Sequence, residues 1–156
     1  MQKFCLIFLV SVCMLCTGGL LSSESKQDKY SQKKDTRNPF QFVTGFKEIS
    51  LDRVVFTGEK FYEKGSDHPF NGIITRKYDN GHMQMRFAVK NGVSHGYSEA
   101  WYENGAKFFE IPYGDGVRHG PFMAWHANRQ LGEIGSYDHG IQHGPYMYFH
   151  DNGQLG

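Results

Sequence analysis

An internal repeat of 24 residues is the feature that most constrains how this chain folds. Pairs of turn-forming residues recur at that interval in three interleaved series, without slippage. The series are Asn71-Gly72, His95-Gly96, His119-Gly120 and His143-Gly144; Asn80-Gly81, Asn104-Gly105, Asn128-Arg129 and Asn152-Gly153; and Asn91-Gly92, Asp115-Gly116 and His139-Gly140. A fixed period of this length predicts stacked copies of one small unit, with units beginning near residues 71, 95, 119 and 143.

Each unit is predicted to be a β-hairpin. Strand-sized apolar and aromatic runs, such as Ile73 to Tyr78 and Met83 to Val89, stand on either side of the Asn-Gly pairs. Asn-Gly favours a two-residue type I′ turn, in which both residues take a positive φ. Structural turns are expected at Asn80, Gly81, Asn104, Gly105, Asn152 and Gly153, and also at Gly96, Gly120 and Gly144. The predicted fold is all-β, an antiparallel β-meander in a solenoid-like array of stacked hairpins.

The repeat is irregular in three places. Arg129 replaces the turn glycine of the third unit, which either strains the turn by roughly 1 kcal/mol or gives it another form. The last hairpin has no returning strand before Gly156, so it is either a truncated unit or an unpaired edge that invites association. Residues 41–69 carry strand and turn signals without a match in the repeat, and they are predicted to form N-terminal capping strands.

Residues 1–21 have the layout of a secretory signal peptide. Lys3 supplies a positive start, and the run Phe4 to Leu15 is apolar. This run is short for a permanent membrane anchor, which needs about 20 residues. Cys16 follows it and is the candidate for lipidation and signal cleavage, as in a bacterial lipoprotein, although the residues before it fit that pattern poorly. Ordinary cleavage further along the chain is the alternative.

Residues 22–40 are polar and lack apolar periodicity, which predicts a flexible linker. Together with the signal segment, the linker predicts an exported protein of the cell envelope, or a secreted one. Membrane association is then expected only through the N-terminus.

Composition excludes several classes of function. The chain has 17 Lys and Arg against 16 Asp and Glu, so no overall positive field attracts nucleic acid, and none is expected as a partner. The three cysteines, Cys5, Cys13 and Cys16, precede the predicted folded part, which therefore has no disulfide, Cys-zinc site or Cys nucleophile. No phosphate loop, nucleophile elbow or His-Glu-x-x-His segment occurs, and we expect no catalytic residue, no cofactor and no enzyme activity.

The eight histidines suggest a metal site, but the expected geometry argues against one. With two strands per unit and about 4.8 Å between strands, equivalent histidines such as His95, His119 and His143 lie roughly 10 Å apart. Ligands of one zinc ion lie about 3 to 4 Å from each other. One register of histidines therefore cannot bind a single ion; pairs from different registers remain possible, and the prediction is a structural role without metal.

Aromatic residues form two rows and are the candidates for a binding surface. Trp101, Trp125 and Phe149 share one register of the repeat, and Tyr78 and Tyr102, followed by His126 and His150, share the adjacent one. Adjacent positions on a strand face opposite sides of the sheet. One row is therefore expected to pack as a core, and the other to remain available for contact with proteins, glycans or lipid headgroups.

The segments Tyr78-Asp79-Asn80-Gly81 and Tyr102-Glu103-Asn104-Gly105, with the joints Arg118-His119-Gly120-Pro121 and Gln142-His143-Gly144-Pro145, resemble the bacterial variant of the MORN repeat over residues 70–156. Members of that family are often described as antitoxin components of toxin–antitoxin systems, and others are exported. The resemblance implies stacked hairpins and a role in binding. It implies no substrate, because a repeat scaffold takes its function from the surface it carries.

Three hypotheses on function follow. The first is a non-enzymatic interaction scaffold of the envelope, or a secreted one, that binds another protein. The second is a cytosolic, antitoxin-like protein that neutralises a toxin by direct binding. The third is an accessory module that binds glycans or lipid headgroups through the aromatic rows.

Overall fold

The structure is a computed structural model and describes residues 47–156. The predicted signal peptide, Cys16 and the predicted linker lie outside the described residues. The prediction of an all-β fold is confirmed, since apart from one 3-10 turn at Leu51–Arg53 the regular elements of this part of the chain are strands. The strands are β1 (Lys47–Ser50), β2 (Val54–Thr57), β3 (Lys60–Glu63), β4 (Gly72–Lys77), β5 (Met83–Lys90), β6 (Val93–Trp101), β7 (Lys107–Gly114), β8 (Val117–Arg118), β9 (Gly120–Trp125), β10 (Leu131–Asp138), β11 (Ile141–Gln142) and β12 (Met147–Tyr148).

Ten strands form one sheet in the order β1-β4-β5-β6-β7-β9-β10-β11, with β8 paired to β7 and β12 paired to β10. From β4 onward, consecutive strands run antiparallel because short loops connect them. The antiparallel meander predicted for the repeats does not extend to the N-terminal capping segment, because there β1 pairs with β4 in parallel. A parallel pair needs a longer connection, and the 3-10 turn with the β2–β3 hairpin supplies it.

The turns of the second series have a different form from the expected one. The amide of Gly81 donates to the carbonyl of Tyr78 at 2.9 Å, and the amide of Tyr78 donates to the carbonyl of His82 at 2.8 Å. Only Gly81 has a positive φ, of 85°, and Asn80 does not. This is the three-residue hairpin loop, a type I turn followed by a left-handed residue. The prediction of a two-residue type I′ turn is therefore wrong for the Asn-Gly pairs of this series, Asn80-Gly81, Asn104-Gly105 and Asn152-Gly153.

Type I′ turns occur instead in the third series. Asn91 and Gly92 have φ of 52° and 80°, and Lys90 pairs with Val93 across them. The same two-residue geometry returns at Asp115-Gly116 and at His139-Gly140. The hairpins thus alternate between three-residue and two-residue loops.

The glycines after the repeated histidines do not form turns. Gly96 lies inside β6, where the pairing of β5 with β6 shifts register, and its φ is 86°. Gly120 is the first residue of β9, and Gly144 lies between β11 and β12. The expectation of turns at Gly96, Gly120 and Gly144 is wrong. The positive φ of these glycines occurs at irregularities in strand pairing and not at a reversal of the chain.

Arg129 adopts the conformation of the glycine it replaces. Its φ is 72°, and its amide donates to the carbonyl of His126 at 2.8 Å, as Gly81 does to Tyr78. The alternative of a different turn form at this position is therefore wrong. An L-residue in the left-handed region carries a strain of roughly 1–2 kcal/mol.

The hydrophobic core lies at the N-terminal end of the sheet. The β2–β3 hairpin covers this end, with the Phe61 ring centred 5.4 Å from that of Phe87. The buried cluster consists of Ile49, Phe70, Ile74, Phe87 and Val89. Full burial of each such side chain contributes roughly 1.5–3 kcal/mol to stability. From β6 onward most strand residues on both faces are only half-buried, so this part of the sheet is one layer deep.

Candidate binding surfaces

The three-residue loops form a hydrogen-bonded ladder along one side of the sheet. Each loop asparagine donates from Nδ2 to a backbone carbonyl of the next loop, 23 residues further along the chain. The distances are 3.1 Å from Asn80 to Glu103, 3.0 Å from Asn104 to Ala127 and 2.6 Å from Asn128 to Asp151. Each asparagine also accepts, at Oδ1, the backbone amide two residues later. We call this arrangement the loop ladder.

The row that begins with Tyr78 and Tyr102 reinforces the loop ladder. The Tyr78 hydroxyl donates to the carbonyl of Trp101 at 2.8 Å, and the Tyr102 hydroxyl donates to the carbonyl of Trp125 at 3.0 Å. His126 continues the row, with Nε2 at 2.8 Å from the Phe149 carbonyl. Burial raises the pKa of Tyr102. The hydroxyls of the two tyrosines and Nε2 of the histidine therefore form hydrogen bonds within the protein. The rings of these residues are half-buried.

The two tryptophans of the chain lie on either side of Lys107. Trp101 and Trp125 are half-buried, and Lys107 Nζ lies 5.8 Å from the centre of each ring. A cation over an aromatic face stabilises by about 0.5–1 kcal/mol at a partly exposed site. The space between the rings is thus occupied by the protein's own lysine. Phe149, the third member of this row, is only 2% exposed and belongs to the interior.

Lys107 also joins two acidic side chains on neighbouring strands. Its Nζ donates to Glu99 Oε1 at 2.7 Å and to Glu110 Oε2 at 2.6 Å. Burial lowers the pKa of Lys107, but the hydrogen bonds to Glu110 and Glu99 outweigh that effect and raise its pKa overall. Glu99 is only 7% exposed, so its carboxylate depends on partners within the sheet. This cluster stabilises the middle of the sheet.

The largest group of exposed apolar side chains in the described residues lies at the C-terminal end of the sheet. β10 is eight residues long, but on its outer side it pairs only with the two-residue strands β11 and β12. The exposed side chains of this end are Ile141, Tyr146, Tyr148 and Leu155, with Ile141 74% exposed. We call β11, β12 and these four residues the C-terminal edge.

A second series of contacts recurs where the two-residue turns end. Val93, Val117 and Ile141 each follow a type I′ turn, 24 residues apart. The turn glycine of the next unit donates back to this segment, from Gly116 to the Ser94 carbonyl at 2.9 Å and from Gly140 to the Arg118 carbonyl at 2.8 Å. Along this series Val93 is half-buried, Val117 is 44% exposed and Ile141 is 74% exposed.

An unpaired edge at the last hairpin was one of the two alternatives predicted from the sequence, but the exposed side chains of this edge were not predicted. The aliphatic residues Val93, Val117 and Ile141 recur with the same period as the turns. This series could have indicated the exposed apolar residue from the sequence. The prediction rested on aromatic rows instead, and the structure places Tyr78, Tyr102, Trp101 and Trp125 within internal contacts.

One group of potential metal ligands occurs in the described residues. His119 lies between β8 and β9, Asp138 ends β10, and His139 begins the following turn. Their ligand atoms all lie within 4.8 Å of one another. Asp138 Oδ1 is 2.6 Å from His139 Nδ1 and 3.3 Å from His119 Nδ1, and all three side chains are exposed.

No family model, curated protein or solved structure matches the chain. Within residues 47–156, no helix has the length and apolar character to cross a membrane.

Proposed function

We propose that this chain is a non-enzymatic interaction scaffold, built of 24-residue hairpin units of the variant MORN type, whose C-terminal edge binds another protein. The observation that carries the proposal is the exposed apolar group at that edge, above all Ile141. A short, incompletely paired edge strand with apolar side chains invites association with a further strand.

The stacked-unit part of the proposal is supported by contacts that recur with the sequence repeat. The bonds of Asn80, Asn104 and Asn128 are equivalent, and so are those of the turn glycines Gly116 and Gly140. In repeat proteins each unit buries its surface against its neighbours, and the terminal unit needs a cap. At the N-terminal end, β1 and the β2–β3 hairpin provide a cap.

The proposed mode of binding is addition of a strand from the partner. β11 lies at the edge of the sheet, so a partner strand gains main-chain hydrogen bonds there, whereas the outer side of β12 already receives the amide of Gly156 at the carbonyl of Tyr148. Ile141 and Tyr148 offer apolar and aromatic contacts on the same edge, and large aromatic residues are enriched at protein interfaces. The half-buried tryptophans are a poorer place for a glycan, because Lys107 already lies against both rings.

A comparison of three tagged chains in the native cell tests this function. The first is the wild type, the second carries Ile141→Asp with Tyr148→Lys, and the control carries Val55→Asp. Val55 is exposed on β2, at the other end of the molecule. The proposal predicts that one protein co-purifies with the wild type and the control and is lost from the edge variant, while all three chains unfold at similar temperatures. A partner that the edge variant retains would contradict it.

The proposed location is outside the cytosol, on the strength of the apolar N-terminal run and the polar segment after it. Intact mass and N-terminal sequencing of the native protein, with cell fractions kept separate, test this. A chain that begins at Cys16 with added acyl mass supports an anchored envelope protein. A chain that begins at Met1 in the cytosol would overturn the proposed location and favour the antitoxin-like hypothesis.

A further inference from the structure

The exposed cluster of His119, Asp138 and His139 has the chemistry of a metal site. It offers two imidazole nitrogens and one carboxylate oxygen, a donor set that suits Zn²⁺ and other divalent ions that prefer imidazole. Ligands of a tetrahedral Zn²⁺ lie about 2.0–2.1 Å from the ion, which places them about 3.3 Å from each other. The distance of 3.3 Å from His119 Nδ1 to Asp138 Oδ1 agrees with that spacing.

The cluster needs only small adjustments to hold an ion. Asp138 Oδ1 and His139 Nδ1 are 2.6 Å apart, which is a hydrogen-bond distance. Metal binding replaces the proton of that hydrogen bond, because a ligating nitrogen must be unprotonated. All three side chains are more than half exposed, so they are free to turn, and solvent water can complete the coordination shell.

The preceding unit of the repeat provides an internal comparison. Subtracting 24 from each position gives His95, Gly114 and Asp115. There, His95 Nδ1 lies 3.5 Å from Asp115 Oδ1, and the glycine contributes no ligand. The fold of this unit therefore forms with one histidine and one carboxylate beside the turn. In the later unit, Asp138 stands in place of Gly114 and His139 in place of Asp115, so that three ligand atoms are present instead of two. The fold does not require this third ligand atom.

We propose that His119, Asp138 and His139 bind one Zn²⁺ ion, with water as a further ligand. The two histidines come from different registers of the repeat. The 10 Å spacing within one register therefore does not apply to them. The type I′ turn at His139-Gly140 and the antiparallel pairing of β7, β8, β9 and β10 bring His119 beside the end of β10. The bound ion holds this turn, two residues before Ile141 at the C-terminal edge.

Zinc titration of the full chain tests the proposal, with any polyhistidine tag removed and the thiols of Cys5, Cys13 and Cys16 alkylated so that they bind no metal. Calorimetry and native mass spectrometry measure affinity and stoichiometry. The wild type is expected to bind one ion per chain. His119→Ala, Asp138→Asn and His139→Ala are each expected to weaken binding by roughly tenfold or more, while the matched control His95→Ala leaves it unchanged.

A spectroscopic readout locates the ion independently of affinity. Zinc is expected to shift the imidazole nitrogen resonances of His119 and His139 and to leave those of His95 in place. Thermal unfolding without zinc confirms that each variant folds. Absence of saturable zinc binding would overturn the proposal. Binding that survives in the three cluster variants, or that His95→Ala weakens equally, would also overturn it.

Discussion

The side-chain amide of Asn104 donates to the backbone carbonyl of Ala127 at 3.0 Å, and this bond joins one loop of the sheet to the next. The same side chain accepts the amide of Ala106 at 2.9 Å, which closes its own loop. A single asparagine therefore stabilises both its own loop and the contact with the next loop. The same pair of bonds occurs at Asn80 and at Asn128.

We expect Asn104→Ala to lower the free energy of unfolding by about 1–2 kcal/mol, since two hydrogen bonds of about 0.5–1.5 kcal/mol each are lost. Asn152→Ala is the matched control, because within residues 47–156 the side chain of Asn152 forms hydrogen bonds only with Gln154 of its own loop. It should cost about half as much or less. Urea unfolding of the two variants provides the comparison. An equal loss of unfolding free energy in the two variants would show that the hydrogen bond between the loops does not contribute to stability.

Arg129→Gly is expected to stabilise the protein. Arg129 has a φ of 72°, and glycine relieves a strain of roughly 1–2 kcal/mol at that conformation. Glycine also raises the entropy of the unfolded chain, at a cost of about 0.4–1 kcal/mol, so the net gain should be about 0.5–1 kcal/mol. Gly105→Arg, at the equivalent place in the preceding loop, should destabilise by a similar amount. Thermal melts measure both, and a melting temperature that falls in Arg129→Gly would contradict the strain argument.

Lys107→Met is expected to destabilise the sheet by about 1–3 kcal/mol, because the buried Glu99 carboxylate loses a charged donor. Adding Glu99→Gln to that variant should recover part of the loss, since a neutral amide is cheaper to bury than an unpaired charge. Both tryptophans flank Lys107, so the emission spectrum of the folded protein should also change. An unchanged spectrum and an additive double-mutant cycle would mean that this cluster is not formed.

Low pH is expected to destabilise residues 47–63 because it protonates Glu63. This carboxylate accepts bonds of 2.6 Å from Lys47 and Arg53, and the hydrogen bond from Lys47 is the main cause that lowers its pKa. A lowered pKa adds stability that is present above the ordinary value of 4.5 and is lost as the pH falls through the folded-state value. The protection factors of the amides of residues 47–63, which compare each exchange rate with that of the unfolded chain at the same pH, should therefore fall below about pH 4.5 in the wild type. Glu63→Gln should exchange faster already at neutral pH and show a weaker dependence on acid; an identical pH dependence would contradict this role.

The period of the sequence predicts much of the fold. The Asn-Gly pairs and the strand-sized runs between them locate the hairpins, because the repeat fixes both at the same interval. The class of turn was not predictable in the same way. Asn80-Gly81 suits a type I′ turn in isolation, but the pairing of Tyr78 with His82 leaves three residues in the loop. Local preference is then overridden by the register of the flanking strands.

The sites were harder to predict than the strands. The cluster of His119, Asp138 and His139 joins two histidines that belong to different series and meet only through the pairing of adjacent strands. The parallel β1 has no counterpart in the repeat, so no period marks it. The aromatic rows were visible in the sequence, but their use in internal hydrogen bonds depends on contacts between loops that only the folded sheet contains.

Site-specific photo-crosslinking in the native cell is the most direct measurement of the proposed role. A photoreactive residue replaces Ile141 in one chain and Val55 in a control chain, and both positions are exposed. We predict that position 141 crosslinks to one defined protein, identified by mass spectrometry, and that position 55 does not. If position 141 yields no protein adduct, or only those that position 55 also yields, the C-terminal edge is not a protein-binding surface.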